Sequence, residues 1–409
     1  MAINKYIRRT FKIMVGLAVF IVAGIALLLG ALWLDHTRQT TLPTPTGPFA
    51  VGRTTYVWTD DADSDPMGAP GAHREVLAWI WYPAAPQPSS AMPDDYLPAA
   101  WRTALDRKRG PVISKLLTRA LSRVHTHSFA DAPIATQQHS YPVVFMRAGL
   151  AALTTDYTSL AEDLASHGYI VVGFDAPYRS WIVVLPDGKV IARTAQNNAD
   201  ALTGSEQVQL ATKLVQAWTA DTRFALDQLE RLNASADSGK FLGRLDLQRV
   251  GAFGHSLGGA TSLQFCHDDA RCKAGIDIDG APLGSVVAEG VRQPFMFILS
   301  AQIESADFEN SKVKADIKSI YERLPPDGRL DIEIRGANHF LFSDDSALLK
   351  SHVIMGALRM LGILAIDGRR QLAVTSYCVH TFFDRYLKGT GGAPLKITSP
   401  AYPEIRVVE

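Results

Sequence analysis

Cysteine is scarce in this sequence, and charge of either sign is missing in excess. Its 409 residues carry 41 basic and 41 acidic side chains, no block of like charges, and three cysteines, Cys266, Cys272 and Cys378. With the signs offset and a sequence pI near 7.2, there is no basic footprint on which a nucleic acid would be held. No repeat recurs at solenoid periods, and a composition 47% hydrophobic and 20% charged excludes disorder and collagen. What remains is a chain long enough to bury a large core. Cys266 and Cys272, in CHDDARC, could close a small loop in an oxidising compartment and leave Cys378 over. Buried free thiols are the other reading.

What the chain does have is an apolar front. Its mean hydropathy of +0.03 is high for a soluble enzyme, and much of that comes from Ile13 to Leu34, IMVGLAVFIVAGIALLLGALWL, which carries no charge. At ~1.5 Å per residue the run makes roughly 33 Å of helix, enough to cross a bilayer core. A cleaved signal peptide has a shorter apolar region, roughly 7–15 residues, so residues 13–34 are expected to be an uncleaved anchor. Lys5, Arg8, Arg9 and Lys12 precede it. The positive-inside bias leaves residues 1–12 cytoplasmic and the bulk periplasmic or extracellular. Because those charges sit in a neutral chain, the exported part is mildly acidic and not built to adhere to anionic lipid. Residues 35–50, which include TTLPTPTGP, read as an extended linker, and residues 51–409 as one domain with insertions.

Within that domain, Val51 to Trp58 and Arg74 to Tyr82 are aromatic and β-branched and read as paired strands. Tyr96 to Val124 turns helical, with Trp101, Leu105, Leu116, Leu117 and Leu121 spaced to pack on the sheet or to line a substrate mouth. From Tyr141 onward, unbroken apolar runs alternate with helical stretches: Pro142 to Met146, Ile170 to Phe174, Arg249 to Phe253, Gly275 to Ile278, Pro294 to Leu299 and Leu330 to Ile334. Strands apolar on both faces are covered on both faces, which predicts a mostly parallel sheet with crossover helices. Thr203 and Glu206 have capping-box spacing ahead of the longest helix, and Gly389 is a C-cap candidate for a helix near Val374 to Lys388.

The chemistry gathers on a few of these elements. The strand Arg249 to Phe253 runs through Gly254-His255-Ser256-Leu257-Gly258 into a small-residue helix. In such a G-x-S-x-G turn the glycines are needed because side chains there would strike neighbouring backbone, and strain holds the serine hydroxyl outward. Ser256 is thus the candidate nucleophile, and the Leu257 N–H at the helix start can meet a developing oxyanion. His339 follows the strand LDIEI by a short glycine-containing loop late in the chain, where an acid-base histidine belongs. His255 reads as a structural part of the turn, and His125 and His127 form an H-x-H without further ligands, so no metal site is expected. The acid is Asp279, at the end of the strand after the nucleophile helix, or Glu304 or Asp307 after the next strand. A second oxyanion donor, the Leu150 N–H, is expected from the loop after Pro142 to Met146, where Gly149 allows close approach.

With these residues in view, the sequence resembles the plasma-type (isoform II) platelet-activating-factor acetylhydrolases, serine esterases of the α/β-hydrolase fold. The likeness rests on DLASHGYIV from Asp163, GHSLGGAT from Gly254, GIDID from Gly275 and IRGANH from Ile334. The interval from Ser256 to Asp279 is similar to that family's and favours Asp279 over Glu304. Three features depart from its pattern: the oxyanion loop FMRAGLAAL lacks a histidine before Gly-Leu, the anchor is extra, and the C-terminal AVTSYCVHTFFDRYLKG looks more like bacterial esterases and dienelactone hydrolases. The resemblance implies a calcium-independent, cofactor-free hydrolase of short acyl esters, with a small ester or phospholipid-like substrate. The rival expectations are a dienelactone-hydrolase-like or polyester-cleaving enzyme on the same triad, and a silent membrane-tethered binding domain.

Overall fold

The computed structural model describes residues 2–300, 308–390 and 395–408. Its main sheet is built from β1 (Ala50–Ser64), β2 (His73–Ala84), β3 (Ser128–Ala130), β4 (Tyr141–Arg147), β5 (Ile170–Asp175), β6 (Leu245–His255), β7 (Cys272–Ile278), β8 (Phe295–Ser300), β9 (Arg329–Ile334) and β10 (Ile405–Val407). The order across the sheet is β10-β9-β8-β7-β6-β4-β5-β2-β1-β3. From β9 across to β5 every pairing is parallel. The antiparallel pairs are β10 on β9, β2 on β5, and the hairpin β1–β2 expected from its aromatic and β-branched pattern.

The longer helices are α1 (Ala2–Thr37), α2 (Ala99–Arg109), α3 (Thr158–Ser166), α4 (Gly204–Ala234), α5 (Leu257–Asp268), α6 (Phe308–Arg323), α7 (His352–Met360) and α8 (Gly368–Tyr386). Alternate side chains of the central strands feed two cores. Val144 and Met146 pack with Leu160 and Leu164 of α3 and Val379 and Phe382 of α8. Val143 and Phe145 pack on the other side with Leu229 of α4, Leu263 and Phe265 of α5, and Ile320 of α6. Burial on both faces is why these strands read as continuous apolar runs, and the result is the α/β architecture that the runs predict.

Three local expectations change. The stretch from Tyr96 to Val124 is not one helix: α2 stops at Arg109, Gly110 takes φ 78, and Pro111, with no N–H to donate, follows. Trp101, Leu105 and Leu121 are core residues, with Leu116 and Leu117 partly buried. No capping box forms at Thr203, which makes no side-chain cap hydrogen bond; the next residue, Gly204, sits at φ 59. The segment after α1 is extended but does not hang free. Thr40–Thr41 pairs with Val124–His125, and the Thr46 N–H and hydroxyl donate to Asp163 Oδ1 at 2.9 and 2.7 Å.

By length and composition α1 can cross a membrane: the span Tyr6–Thr37 is long enough, and its most apolar stretch is exposed throughout. Its last turn is held firmly. Asp35 is buried, pairs with Arg119 at 3.0 Å and accepts from the Ser351 hydroxyl and the His352 N–H at 2.8 and 2.7 Å. Cys266 and Cys272 are disulfide-bonded and Cys378 is a buried free thiol.

Candidate active site

Ser256 stands between β6 and α5 with φ 56 and ψ −125, a left-handed backbone that a residue with a Cβ adopts only under constraint. The constraint is visible in its neighbours. A Cβ on Gly254 would lie 2.2 Å from the Gly258 carbonyl oxygen, and one on Gly258 would lie 2.3 Å from the Arg147 carbonyl oxygen. Both glycines of G-x-S-x-G are therefore steric requirements of the crossing between β6, α5 and the loop after β4. The Ser256 N–H donates to the Ile278 carbonyl at 2.8 Å, fixing the turn to the end of β7.

Asp279 is the residue after β7, and its own φ of 55 swings it out of strand geometry. This separates it from Asp277, with which strict alternation would have given it a common face. Asp277 stays beneath α5, where its Oδ1 accepts from the Gly280 N–H at 2.9 Å and burial pushes its carboxyl well up. Asp279 Oδ2 instead meets His339 Nδ1 at 2.7 Å. His339 opens a short 3-10 turn, His339–Phe342, reached from β9 through Arg335 to Asn338. Ser300, at the end of β8, donates its N–H to Asp279 Oδ1 and its hydroxyl to Oδ2, each at 2.7 Å. Burial alone would raise the Asp279 carboxyl. The hydrogen bond and charge of His339, with both Ser300 donors, outweigh it and hold the group below the usual carboxylate range. Glu304 and Asp307 lie outside the described residues.

Ser256 and His339 line one cleft of about 190 Å³, together with Gly149, Leu150, Tyr157 and Phe340. A larger cavity of about 600 Å³ beside Lys314, Tyr321 and Asp331 contains none of these groups, so volume alone would misplace the chemistry. The Leu257 N–H, next in the chain after Ser256, opens α5 and lies ahead of any intrahelical acceptor. The Gly149 N–H is already engaged, donating to Tyr157 Oη at 3.2 Å, while Arg193 Nη1 holds the Leu150 carbonyl at 3.0 Å. A Cβ at Gly149 would sit 3.4 Å from His255 Nδ1, an ordinary contact, so close approach does not demand glycine there.

Two residues that the sequence reading did not name, Tyr157 and Ser300, belong to the site structurally, and His255, read as a structural part of the turn, joins them. Tyr157 Oη lies 2.7 Å from His255 Nδ1. Burial pushes the phenol far up, so it remains an O–H donor, and burial with the nearby His339 brings His255 down to about 3. A neutral His255 accepts from Tyr157 on Nδ1 and carries its proton on Nε2. The chain Gly149, Tyr157, His255 thereby fixes the loop after β4 to the serine turn. Ser300 had a legible signal, its place at the carboxyl end of the strand beside β7; Tyr157 had none, because its relevance depends on where α3 docks.

The family model for platelet-activating factor acetylhydrolase, isoform II, matches residues 34–388. The chain belongs to that family. A probable 1-alkyl-2-acetylglycerophosphocholine esterase of Arthroderma benhamiae is 26% identical over 400 residues, spanning 89% of this chain and 92% of the relative. The platelet-activating factor acetylhydrolase of Cavia porcellus is 26% identical over 75% of this chain and 69% of its own. Among solved structures, a ferulic acid esterase from Streptomyces cinnamoneus superposes with a TM-score of 0.73 at 25% identity, covering 91% of this chain and all of that one. The protein is accordingly an α/β-hydrolase-fold serine hydrolase acting on carboxylic ester bonds.

This member of the acetylhydrolase family carries an acidic wall beside the cleft. Asp345 is held by Arg109 and Lys350, each at 2.8 Å. Asp344 is fully buried, accepts from the Ser159 N–H at 3.0 Å, and is pushed up to about 8, chiefly by burial. Its unfolded value is near ~3.9. A carboxyl raised on folding contributes stability in full below the unfolded value and loses it as pH rises through the folded one. Tm is therefore expected to fall between pH 5 and pH 8.5, and Asp344→Asn to flatten that fall in thermal scans. An equal fall in the variant would remove Asp344 as its source.

Proposed function

We propose that this chain is a membrane-anchored esterase that cleaves short acyl esters, among them sn-2 acyl groups of phospholipids, through an acyl-enzyme. Ser256 attacks the ester carbonyl, His339 takes the hydroxyl proton and returns it to the departing alcohol, and Asp279 holds the imidazole tautomer and stabilises the imidazolium. The Leu257 and Leu150 N–H groups hold the oxyanion, and water then hydrolyses the acyl-enzyme. The observation that carries this reading is the pairing of a strained serine with a histidine, bonded to a buried carboxylate, on one cleft.

The small cleft supports the short-acyl preference. About 190 Å³ is below the roughly 300–1,000 Å³ that encloses a drug-sized ligand, so an acyl group of few carbons fits while the alcohol portion stays outside. Anchoring by residues 13–34, with the domain periplasmic or extracellular, rests on the apolar helix and the basic residues before it. The Cys266–Cys272 disulfide agrees with an oxidising compartment. The buried Asp35 supports a tether that sets the domain's attitude to the bilayer rather than a loose leash.

The test is a p-nitrophenyl ester series from acetate to palmitate, with labelling of Ser256 by a fluorophosphonate. Acetate and butyrate are expected to give the highest kcat/KM. Preference for palmitate would overturn the short-acyl reading, and an unlabelled, inactive protein would overturn the hydrolytic one.

A further inference from the structure

A cluster outside the active site has the donors and spacing of a metal site. Asp163 and His167 are one helical turn apart at the end of α3, and His380 reaches them from α8. The candidate ligand atoms of the three residues all lie within 4.8 Å of one another. The His167 and His380 rings stack with centroids 4.1 Å apart and planes 22° apart. His380 Nδ1 is 3.0 Å from Asp163 Oδ2, and the Thr46 hydroxyl lies 2.7 Å from Asp163 Oδ1 and 2.8 Å from His167 Nε2. Side-chain exposure of 6% for Asp163 and 14% for His380 leaves the group at the solvent's edge, accessible to an ion and to a water as a further ligand.

We infer that Asp163, His167 and His380 bind a divalent transition-metal ion of the zinc class. Two imidazoles and one carboxylate form a donor set that suits zinc, cobalt or nickel and not magnesium or calcium, which require more oxygen ligands. Bonds of roughly 2.0–2.2 Å require the two stacked rings to turn their nitrogens toward a common point beside Asp163. Ligation uses neutral imidazole, so the ion is expected to bind more tightly as pH rises. No single stretch of sequence exposes the site: Asp163 and His167 have helix spacing for two ligands, but His380 arrives from the far end of the chain.

The position assigns the ion a structural task. His167 lies just ahead of β5, at the edge where the parallel strands begin, whereas Ser256 follows β6 at the edge where they end. The ion would fasten α3 to α8, and through Thr46 on Asp163 it would fasten the segment that leads from the anchor. It touches neither Ser256 nor His339.

The experiment uses full-length protein in detergent, with any affinity tag removed and metal stripped by EDTA. Zinc or cobalt is expected to raise Tm by roughly 3–6 °C at saturation, with magnesium and calcium without effect and kcat on p-nitrophenyl acetate unchanged. The shift should disappear in His380→Ala and in His167→Ala and persist in Ser256→Ala. Protein purified in zinc-containing buffer should retain close to one equivalent after gel filtration, a readout that does not require the variants to fold. No thermal shift with either ion, an equal shift in His380→Ala, or less than about a tenth of an equivalent retained would each overturn the site.

Discussion

Ser256→Ala is expected to lower kcat/KM for p-nitrophenyl acetate by about 10,000- to 1,000,000-fold while leaving Tm close to that of the parent. The loss is this large because the hydroxyl is the atom that forms the acyl bond; without it only water held near the oxyanion donors remains. Stability should hardly move, because alanine tolerates φ 56 about as poorly as serine and the packing of Gly254 and Gly258 is untouched. A variant that keeps more than about a tenth of the parent rate would remove Ser256 from the nucleophile's role.

Asp279→Asn is expected to cost about 10,000-fold in kcat with little change in KM. Asparagine is among the residues that tolerate the left-handed backbone, and its amide oxygen can still accept from Ser300, so the fold should persist. What fails is the imidazole: a neutral amide no longer selects the tautomer with its proton on Nδ1 or offsets the charge that His339 acquires in the transition state. Glu304→Gln supplies the contrast and is expected to retain activity. The opposite result, full activity in Asp279→Asn with loss in Glu304→Gln, would transfer the acid's role to Glu304.

How much of this was legible in the sequence varied with the range of the physics involved. The central strands were plain because burial on both faces leaves an unbroken apolar run, and the serine turn was plain because its two glycines answer to a local steric demand. The residues alone narrowed Asp279 to a choice with Glu304 or Asp307 after the next strand, and strand alternation put Asp277 on its own face. A single positive φ at Asp279 sends the two carboxyls to different work. The capping box at Thr203 failed although its spacing was right, because spacing does not dictate where a side chain finds its best partner. The helix expected to Val124 ends early, at Arg109, because Gly110 and Pro111 are local stop signals that apolar spacing does not override.

The sequence by itself determined the α/β class, the apolar front, the serine turn and the histidine after the last parallel strand, because each follows from a period, a length or a local steric rule. Only the tertiary structure decided that Ser300 braces Asp279, that Tyr157 and His255 hold the loop bearing Leu150, and that the chain after α1 is pinned to the domain. Those contacts join residues far apart in the chain, from elements whose docking depends on the whole core. No local pattern encodes a distance between two helices, which is also why Asp163, His167 and His380 meet without a motif to announce them.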